Sequence, residues 1–262
     1  MRISSLNLRY AHNAEMNNQA YREPRIVAFV RDTRPALLGV QECESFWRER
    51  LVLTIGEFGY LPAQDVAYSE SGDYCFKNYI WYDSLNTELL ESGRIWLSDT
   101  PDVPSKGFGS RFYISAGYAV VRHKKTGECA AYVNTHLDAY KPEVRIKEIE
   151  VLKAKIAELE DKGYTVFVTG DFNADQDSDV YRCMTQTLLD ARATATVSTE
   201  TNTYNFCNSE NLIIPTEKYR RLDYCFYNGD KTGATVEKFD VVDTWADGYM
   251  SDHNALIIDA KM

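Results

Sequence analysis

The sequence predicts an α/β protein built from two β-sheets packed face to face with helices outside. About ten short apolar runs read as strands, and a few amphipathic stretches fall between groups of them. Tight turns of the "GE", "GD" and "NG" type punctuate the chain.

The strand-like runs, in order, are "RISSLNL", "ALLGVQ", "DYCFKNYIWY", "RIWLSD", "SAGYAVVRH", "CAAYVNTHL", "YTVFVTG", "RRLDYCFYN", "KFDVVDTW" and "ALIIDAKM". Between the first two, "NQAYREPRIVAFVRDTR" reads as a helix; shorter ones follow Gln41 and cover "SDVYRCMTQTLLD". The clearest helix is "KPEVRIKEIEVLKAKIAELEDKG", where Ile149, Leu152, Ile156 and Leu159 recur at three- and four-residue steps. Gly163 stands where a helix stop belongs. With no repeat, low-complexity tract or Pro/Gly/Ser-rich linker, one domain over residues 1–262 is expected.

At 262 residues, 44% hydrophobic and 13% aromatic, the chain can bury a sizeable core. Its net charge of −10 opposes a long electrostatic footprint on nucleic acid and suits metal ions or small substrates better, with a local basic groove left open. No apolar run approaches the roughly 20 residues that span a bilayer. The start, "MRISSLNLRY", is too short in apolar residues for a leader and carries Asn7 and Arg9. A cytoplasmic monomer is therefore expected; a leader removed ahead of Met1 would make the protein periplasmic or secreted. The six cysteines show no CxxC spacing, and Cys75, Cys129 and Cys225 lie in strand-like runs, so buried free thiols in a reducing compartment are expected.

Polar residues recur at the ends of apolar runs: Asn7, Glu42 in "LLGVQE", His136 in "YVNTHLD", Asp171 and Asn173 in "GDFN", Asp223 in "RRLDYCF", and Asp252 and His253 in "YMSDHNA". In this order the motifs resemble the endonuclease/exonuclease/phosphatase family of magnesium-dependent phosphohydrolases. The resemblance runs from residue 3 to about 258 and implies a four-layer α/β sandwich with two mixed sheets. "IWLSDTPDVPSKG" adds a narrower resemblance, to a bacterial branch of that family. Here the chain differs from the branch in having Ala139 where a His often follows "NTHLD", and "TNTYNF" where a "TFHG"-like segment precedes the "IDY" motif.

The residue types suit the chemistry. Mg²⁺, or Mn²⁺ in its place, takes oxygen ligands and is held by one or two carboxylates plus substrate phosphate. Glu42 is the leading ligand, with Asn7 positioning it or adding an amide oxygen and Asp252 as a second carboxylate. The resemblance implies that Asp171 orients and deprotonates the attacking water while Asn173 binds a phosphate oxygen. It places His253 against the phosphoryl group with Asp223 fixing its tautomer and charge, and His136 donating to a phosphate oxygen or stabilising the developing charge. Asn78, Arg145 and Trp96 are further candidates for the substrate pocket. The substrate class left by these observations is a phosphorylated small molecule or a short single-stranded nucleic acid. A catalytically silent binding module on the same fold is the alternative, which magnesium binding would discriminate.

Taken singly, each residue also has a structural reading. Glu42 and Asn7 could be solvated strand ends, Asp171 and Asn173 an Asx-turn or helix cap, His136 and His253 structural histidines, and Asp223 a partner of Arg220 or Arg221. Their joint occurrence in one order favours a single site. His12 and His123 read as surface residues, and Trp96 either stacks on substrate or packs beneath the "SDTP" loop. The spacing Asp171-x-Asn173-x-Asp175 imitates a calcium loop but fails at Gln176, where glycine is needed, and at Arg182, where a bidentate Glu is needed. Asp177 or Ser178 is expected to cap the following helix.

Overall fold

The computed structural model describes residues 1–10, 18–64, 78–205 and 218–262. The chain opens with β1 (Arg2–Asn7), α1 (Gln19–Thr33), β2 (Leu37–Gln41), α2 (Ser45–Thr54), β3 (Tyr60–Pro62) and β4 (Tyr79–Asp83). There follow β5 (Thr87–Trp96), β6 (Ser115–His123), β7 (Cys129–His136), α3 (Pro142–Asp161), β8 (Thr165–Asp171) and α4 (Asp179–Thr185). The last third holds β9 (Leu189–Asp190), α5 (Ala191–Thr194), β10 (Val197–Ser198), β11 (Asp223–Tyr227), α6 (Gly229–Thr232), β12 (Thr235–Val242), the hairpin β13 (Thr244–Trp245) and β14 (Gly248–Tyr249), and β15 (Ala255–Lys261).

Seven strands form one sheet in the order β10-β12-β15-β1-β2-β4-β3, and six form the other as β5-β6-β7-β8-β11-β9. Both sheets are mixed. β1 and β2 are parallel, as are β7 and β8, whereas β15 runs antiparallel to β1 and β11 antiparallel to β8.

Strand side chains alternate between faces, and that alternation sorts the core into three clusters. Val166 and Val168 of β8 join Ile149, Leu152, Ile156 and Leu159, the periodic stripe of α3. Leu6, Leu38 and Val40 join Ile26 and Phe29 of α1 and Trp47 and Leu51 of α2. Between the sheets lie Ile3, Leu37, Ile80, Tyr132, Phe167, Tyr227, Leu256 and Ile258. The layers therefore run helix, sheet, sheet, helix, as expected from the sequence.

Helix ends follow the local chemistry. Asn18 Oδ1 accepts the Tyr21 N–H to cap α1, Ser178 Oγ caps α4 through the Tyr181 N–H, and Gly163, just past α3, takes φ +83°. Fifteen strands are described where the pattern shows about ten, because β3, β9, β10, β13 and β14 are two or three residues long and cannot display alternation. Cys43 and Cys225 are buried, but Cys129 and Cys183 are only half-buried, and none of the four is in a disulfide. Cys75, Cys207 and His12 lie outside the described residues, as does the start of "DYCFKNYIWY". No described helix is long and apolar enough to cross a membrane.

Candidate active site

Read toward their C-terminal ends, the strand positions facing the opposite sheet change character. The series is Ile3, Ser5, Asn7 in β1; Leu37, Gly39, Gln41 in β2; Tyr132, Asn134, His136 in β7; and Phe167, Thr169, Asp171 in β8. β11 runs the other way, so Asp223 begins it and pairs in register with Asp171, which also pairs with His136. Period two thus delivers Asn7, Gln41, His136, Asp171 and Asp223 from five strands to one end of the inter-sheet layer.

Beneath them is a fully buried polar rung. Gln41 Nε2 donates to Asn134 Oδ1 (2.6 Å) and Ser5 Oγ (3.0 Å), Asn134 Nδ2 donates to the carbonyls of Val40 and Tyr79 (2.8 and 3.0 Å), and the Tyr132 hydroxyl donates to the Ser4 carbonyl (2.9 Å). Glycine lets the sheets come this close. A Cβ on Gly39 would lie 2.4 Å from the Tyr132 hydroxyl of the other sheet; within that second sheet, one on Gly170, at φ +147°, would lie 1.9 Å from the Thr135 carbonyl oxygen of neighbouring β7.

The floor centres on Asp171, buried at the end of β8. Its Oδ2 receives the Asn7 Nδ2–H (3.1 Å) and lies 3.4 Å from His136 Nε2 and 3.6 Å from His253 Nε2. Its Oδ1 accepts the Asn173 N–H (2.8 Å), an Asx-turn. His253 Nδ1 bonds Asp223 Oδ2 at 2.8 Å. Burial alone would lower the His253 pKa, but Asp223 and Asp171, with the Asp223 hydrogen bond, hold it well above the ordinary imidazole value. The two carboxylates therefore favour the charged form of His253, whose Nε2 is turned toward Asp171.

Asn7 Nδ2 also donates to Glu42 Oε1 (3.2 Å), and the Tyr10 N–H binds Glu42 Oε2 (2.9 Å). Of the two roles open to Asn7, the geometry supports positioning: its own oxygen is taken by the Arg9 N–H (2.9 Å). Asp252 accepts the Ser251 hydroxyl (3.2 Å) and lies 3.6 Å from Arg9 Nε. Burial raises the Glu42 pKa and Asp252 adds to this, with His136 opposing. A carboxylate held among others with its ionised form disfavoured is relieved by a cation. Glu42, Asp252 and Asp171 supply the oxygen donors that a hard divalent ion takes. Asp171, Asp223 and His253 also bring one ligand atom each within 4.8 Å of one another. The Asp223–His253 hydrogen bond would have to break to free both for a metal, so the Glu42 side of the floor is the better fit.

Asn173 does not share a strand face with Asp171. β8 ends at Asp171 and Asn173 adopts φ +48°, so the turn rather than strand alternation aims it, with Nδ2 on the Leu137 carbonyl (2.9 Å). Asn78 is fully buried and bonds the Ser115 carbonyl (2.8 Å), tying β4 to the start of β6. Arg145 donates to the Asp138 carbonyl (2.8 Å) and lines a cavity beside Asn173. Trp96 is 4% exposed, packs edge-on against Tyr113, and accepts no stacking partner on an open face; it sits under the "SDTP" loop, which Ser98 and Ser105 knit together. Asp223 pairs with neither neighbouring arginine. Arg221 makes a buried bidentate pair with Asp190 (2.7 and 2.8 Å), and Arg220 pairs with Asp175 (2.6 Å). His123 is the last residue of β6, half-buried, and its Nδ1 accepts the Thr126 N–H from the turn that follows.

Several supporting residues escape sequence reading. Arg22, fully buried in α1, donates to the carbonyls of Leu8, Arg9 and Met250, joining the ends of the segments that carry Asn7 and Asp252. Nothing in a helical pattern marks a buried arginine. Thr203 Oγ accepts the N–H groups of Leu222 and Asp223 (both 3.0 Å), and the Tyr204 ring lies 4.8 Å from that of His253. The "TNTYN" segment thus positions the "LDY" and "SDH" motifs; Phe206 lies outside the described residues. Asp138, the last residue of "NTHLD", accepts the Ser110 hydroxyl and the Tyr140 and Lys141 N–H groups, and its presence in the motif was the available signal.

In three dimensions the chain is similar to an endonuclease/exonuclease/phosphatase from Bacteroides vulgatus, at 26% identity and a TM-score of 0.85 over 100% of this chain and 98% of that one. It is similar also to a mannosyl-6-phosphatase from Bacteroides thetaiotaomicron (23% identity, TM-score 0.83, 100% of both chains). A third likeness is to D. rerio TDP2 complexed with single strand DNA product (19%, TM-score 0.75, 100% and 99%). The last two are likenesses of fold. No curated protein matches the chain by sequence. The sequence model of the Endonuclease/Exonuclease/phosphatase family matches residues 6–253, nearly the whole chain, and the protein belongs to that family.

Proposed function

We propose that the protein is a Mg²⁺-dependent phosphoric ester hydrolase that drives in-line attack of water on a phosphoester. The observation that carries this is the convergence of His136, His253 and Asn7 on one oxygen of Asp171, with Asp223 behind His253. Asp171 orients the water and takes its proton as the oxygen–phosphorus bond forms and the ester oxygen–phosphorus bond breaks; the ester oxygen leaves as the alcohol after gaining a proton. The His253 imidazolium and His136 Nε2–H face the non-bridging oxygens, where negative charge grows. Asn173, pinned by the Leu137 carbonyl, keeps a second amide proton for a phosphate oxygen. Glu42 and Asp252 would hold the metal, with Asn7 orienting Glu42; bound there, Mg²⁺ adds positive charge at the phosphoryl oxygens.

The test is hydrolysis of p-nitrophenyl phosphate and bis(p-nitrophenyl) phosphate with Mg²⁺, with Mn²⁺ and with chelator. His253→Ala is expected to stay folded and lose on the order of 10²–10⁴ in kcat. Wild-type turnover in that variant, or turnover in chelator, would falsify the assignment. The named relatives include a sugar phosphatase and a protein holding DNA product, so both a phosphorylated small molecule and a short single-stranded nucleic acid fall within this reading.

A further inference from the structure

We propose that the groove beside Asn173 receives the alcohol part of the substrate and is built for a polyhydroxylated one, a sugar or polyol phosphate monoester. This rests on the hydrolase reading above and narrows its substrate. The groove has a volume of about 530 Å³ and lies between the first turn of α3 and the start of α4. That falls within the roughly 300–1,000 Å³ of small-molecule sites. Asn173 belongs both to its lining and to the turn closed on Asp171, so the groove meets the candidate site at Asn173.

Its charged wall consists of donors and acceptors held side by side. Arg220 is paired with Asp175 (2.6 and 3.2 Å), Arg182 with Asp179 (2.6 Å), and Asp177 stands between. Arg145 supplies the independent sign of a ligand. It is nine-tenths buried, gives one N–H to the Asp138 carbonyl, and its Nε is buried with no acceptor. Nε itself is sealed off, but the guanidinium lines the groove, and a cation taken this far out of water favours an oxygen acceptor entering beside its other N–H groups. Sugar hydroxyls both donate and accept, so they match arginine and carboxylate alternating along one wall.

A nucleic-acid strand fits this groove poorly. Its three arginines face four carboxylates, Glu143 adding to the aspartates, whereas a phosphodiester backbone needs net positive charge. No aromatic side chain lines it to stack a base. The exposed aromatic surface at the end of β7, Tyr140 stacked on Phe112 at 6.0 Å, is not part of the lining.

The experiment compares kcat/KM for hexose 6-phosphates, glycerol 3-phosphate, ethyl phosphate and a 5′-phosphorylated single-stranded oligonucleotide, all with Mg²⁺. The hexose phosphates should exceed ethyl phosphate and the oligonucleotide at least tenfold, and Arg220→Gln and Arg145→Gln should erase most of the advantage over ethyl phosphate. Arg220 is half exposed, so its variant keeps the test clear of misfolding. Oligonucleotide cleavage within tenfold of the hexose phosphates, or no gain of hexose over ethyl phosphate, overturns the inference. Absence of all phosphoester turnover instead sinks the hydrolase reading. The groove is then judged by thermal shift of the Asp171→Asn protein with a hexose 6-phosphate, where a shift abolished by Arg220→Gln supports it and no shift refutes it.

Discussion

The two ends of the layer between the sheets are built from the same strands and the same alternation, yet they do opposite things. At one end Ile3, Leu37, Phe167 and Tyr227 interlock, the last two rings stacked at 5.8 Å and 5°. At the other, Asn7, His136, Asp171 and Asp223 meet, and polar groups are held against one another rather than hidden. The apolar end stabilises the fold by removing surface from water. The polar end carries costs of burial that its mutual hydrogen bonds and opposed charges offset. The candidate site therefore occupies one pole of the layer, and the other pole packs the same strands that hold it.

The sharpest way to separate the poles is Asp171→Asn. It keeps shape and burial but removes the base, so kcat should fall on the order of 10³-fold while the melting temperature stays level or rises. A large fall in thermal stability would show that the carboxylate belongs to the scaffold as much as to the site. The opposite substitution, Phe167→Ala, should cost about 3–5 kcal/mol in denaturant unfolding, with activity per folded molecule largely kept. Loss of specific activity in the folded fraction would mean that the two poles are not separable.

The rung between them has an intermediate prediction. Asn134→Ala takes the amide donor from the Val40 and Tyr79 carbonyls and leaves Gln41 Nε2 with Ser5 Oγ alone, at a cost of roughly 1–3 kcal/mol. Because the rung carries the strand ends, kcat should fall modestly as well. An unchanged kcat with the full stability loss would place this rung with the apolar pole.

Legibility in the sequence follows the same division. Strand alternation and the α3 stripe are local patterns, so both sheets and the main helices can be read directly, and the motif ends name Asp171, Asp223, His136 and His253. What cannot be read is contact across chain distance. Arg22 is 228 residues from Met250, and Thr203 is 20 from Asp223; no periodicity joins either pair. Asn173 is legible only in part: its motif names it, but the left-handed turn that aims it lies beyond the strand whose alternation can be read. Trp96 shows the ambiguity of a single aromatic, which only its neighbour Tyr113 resolves.

The most gradual effect, spread over several pH units, concerns Glu148, which stands behind the loop that follows His136. Fully buried on α3, it accepts the Asp138 N–H through Oε2 (2.9 Å), and Oε1 is buried with no donor. Burial pushes its pKa up to about 8; the Asp138 N–H and Arg145 oppose this, and the Asp138 carboxylate adds to it. Because the folded value lies above the unfolded one, the folded state binds the extra proton. The stability this contributes is fully present below the ordinary carboxylate value and is lost as pH rises through about 8. Within that window unfolding free energy should fall by about 1.4 kcal/mol per pH unit relative to Glu148→Gln, which cannot ionise. Denaturant titrations of both proteins between pH 5 and pH 9 measure the difference. Parallel curves would mean that Glu148 is ionised in the folded protein, with a cation or donor reaching Oε1 from the side of Arg145.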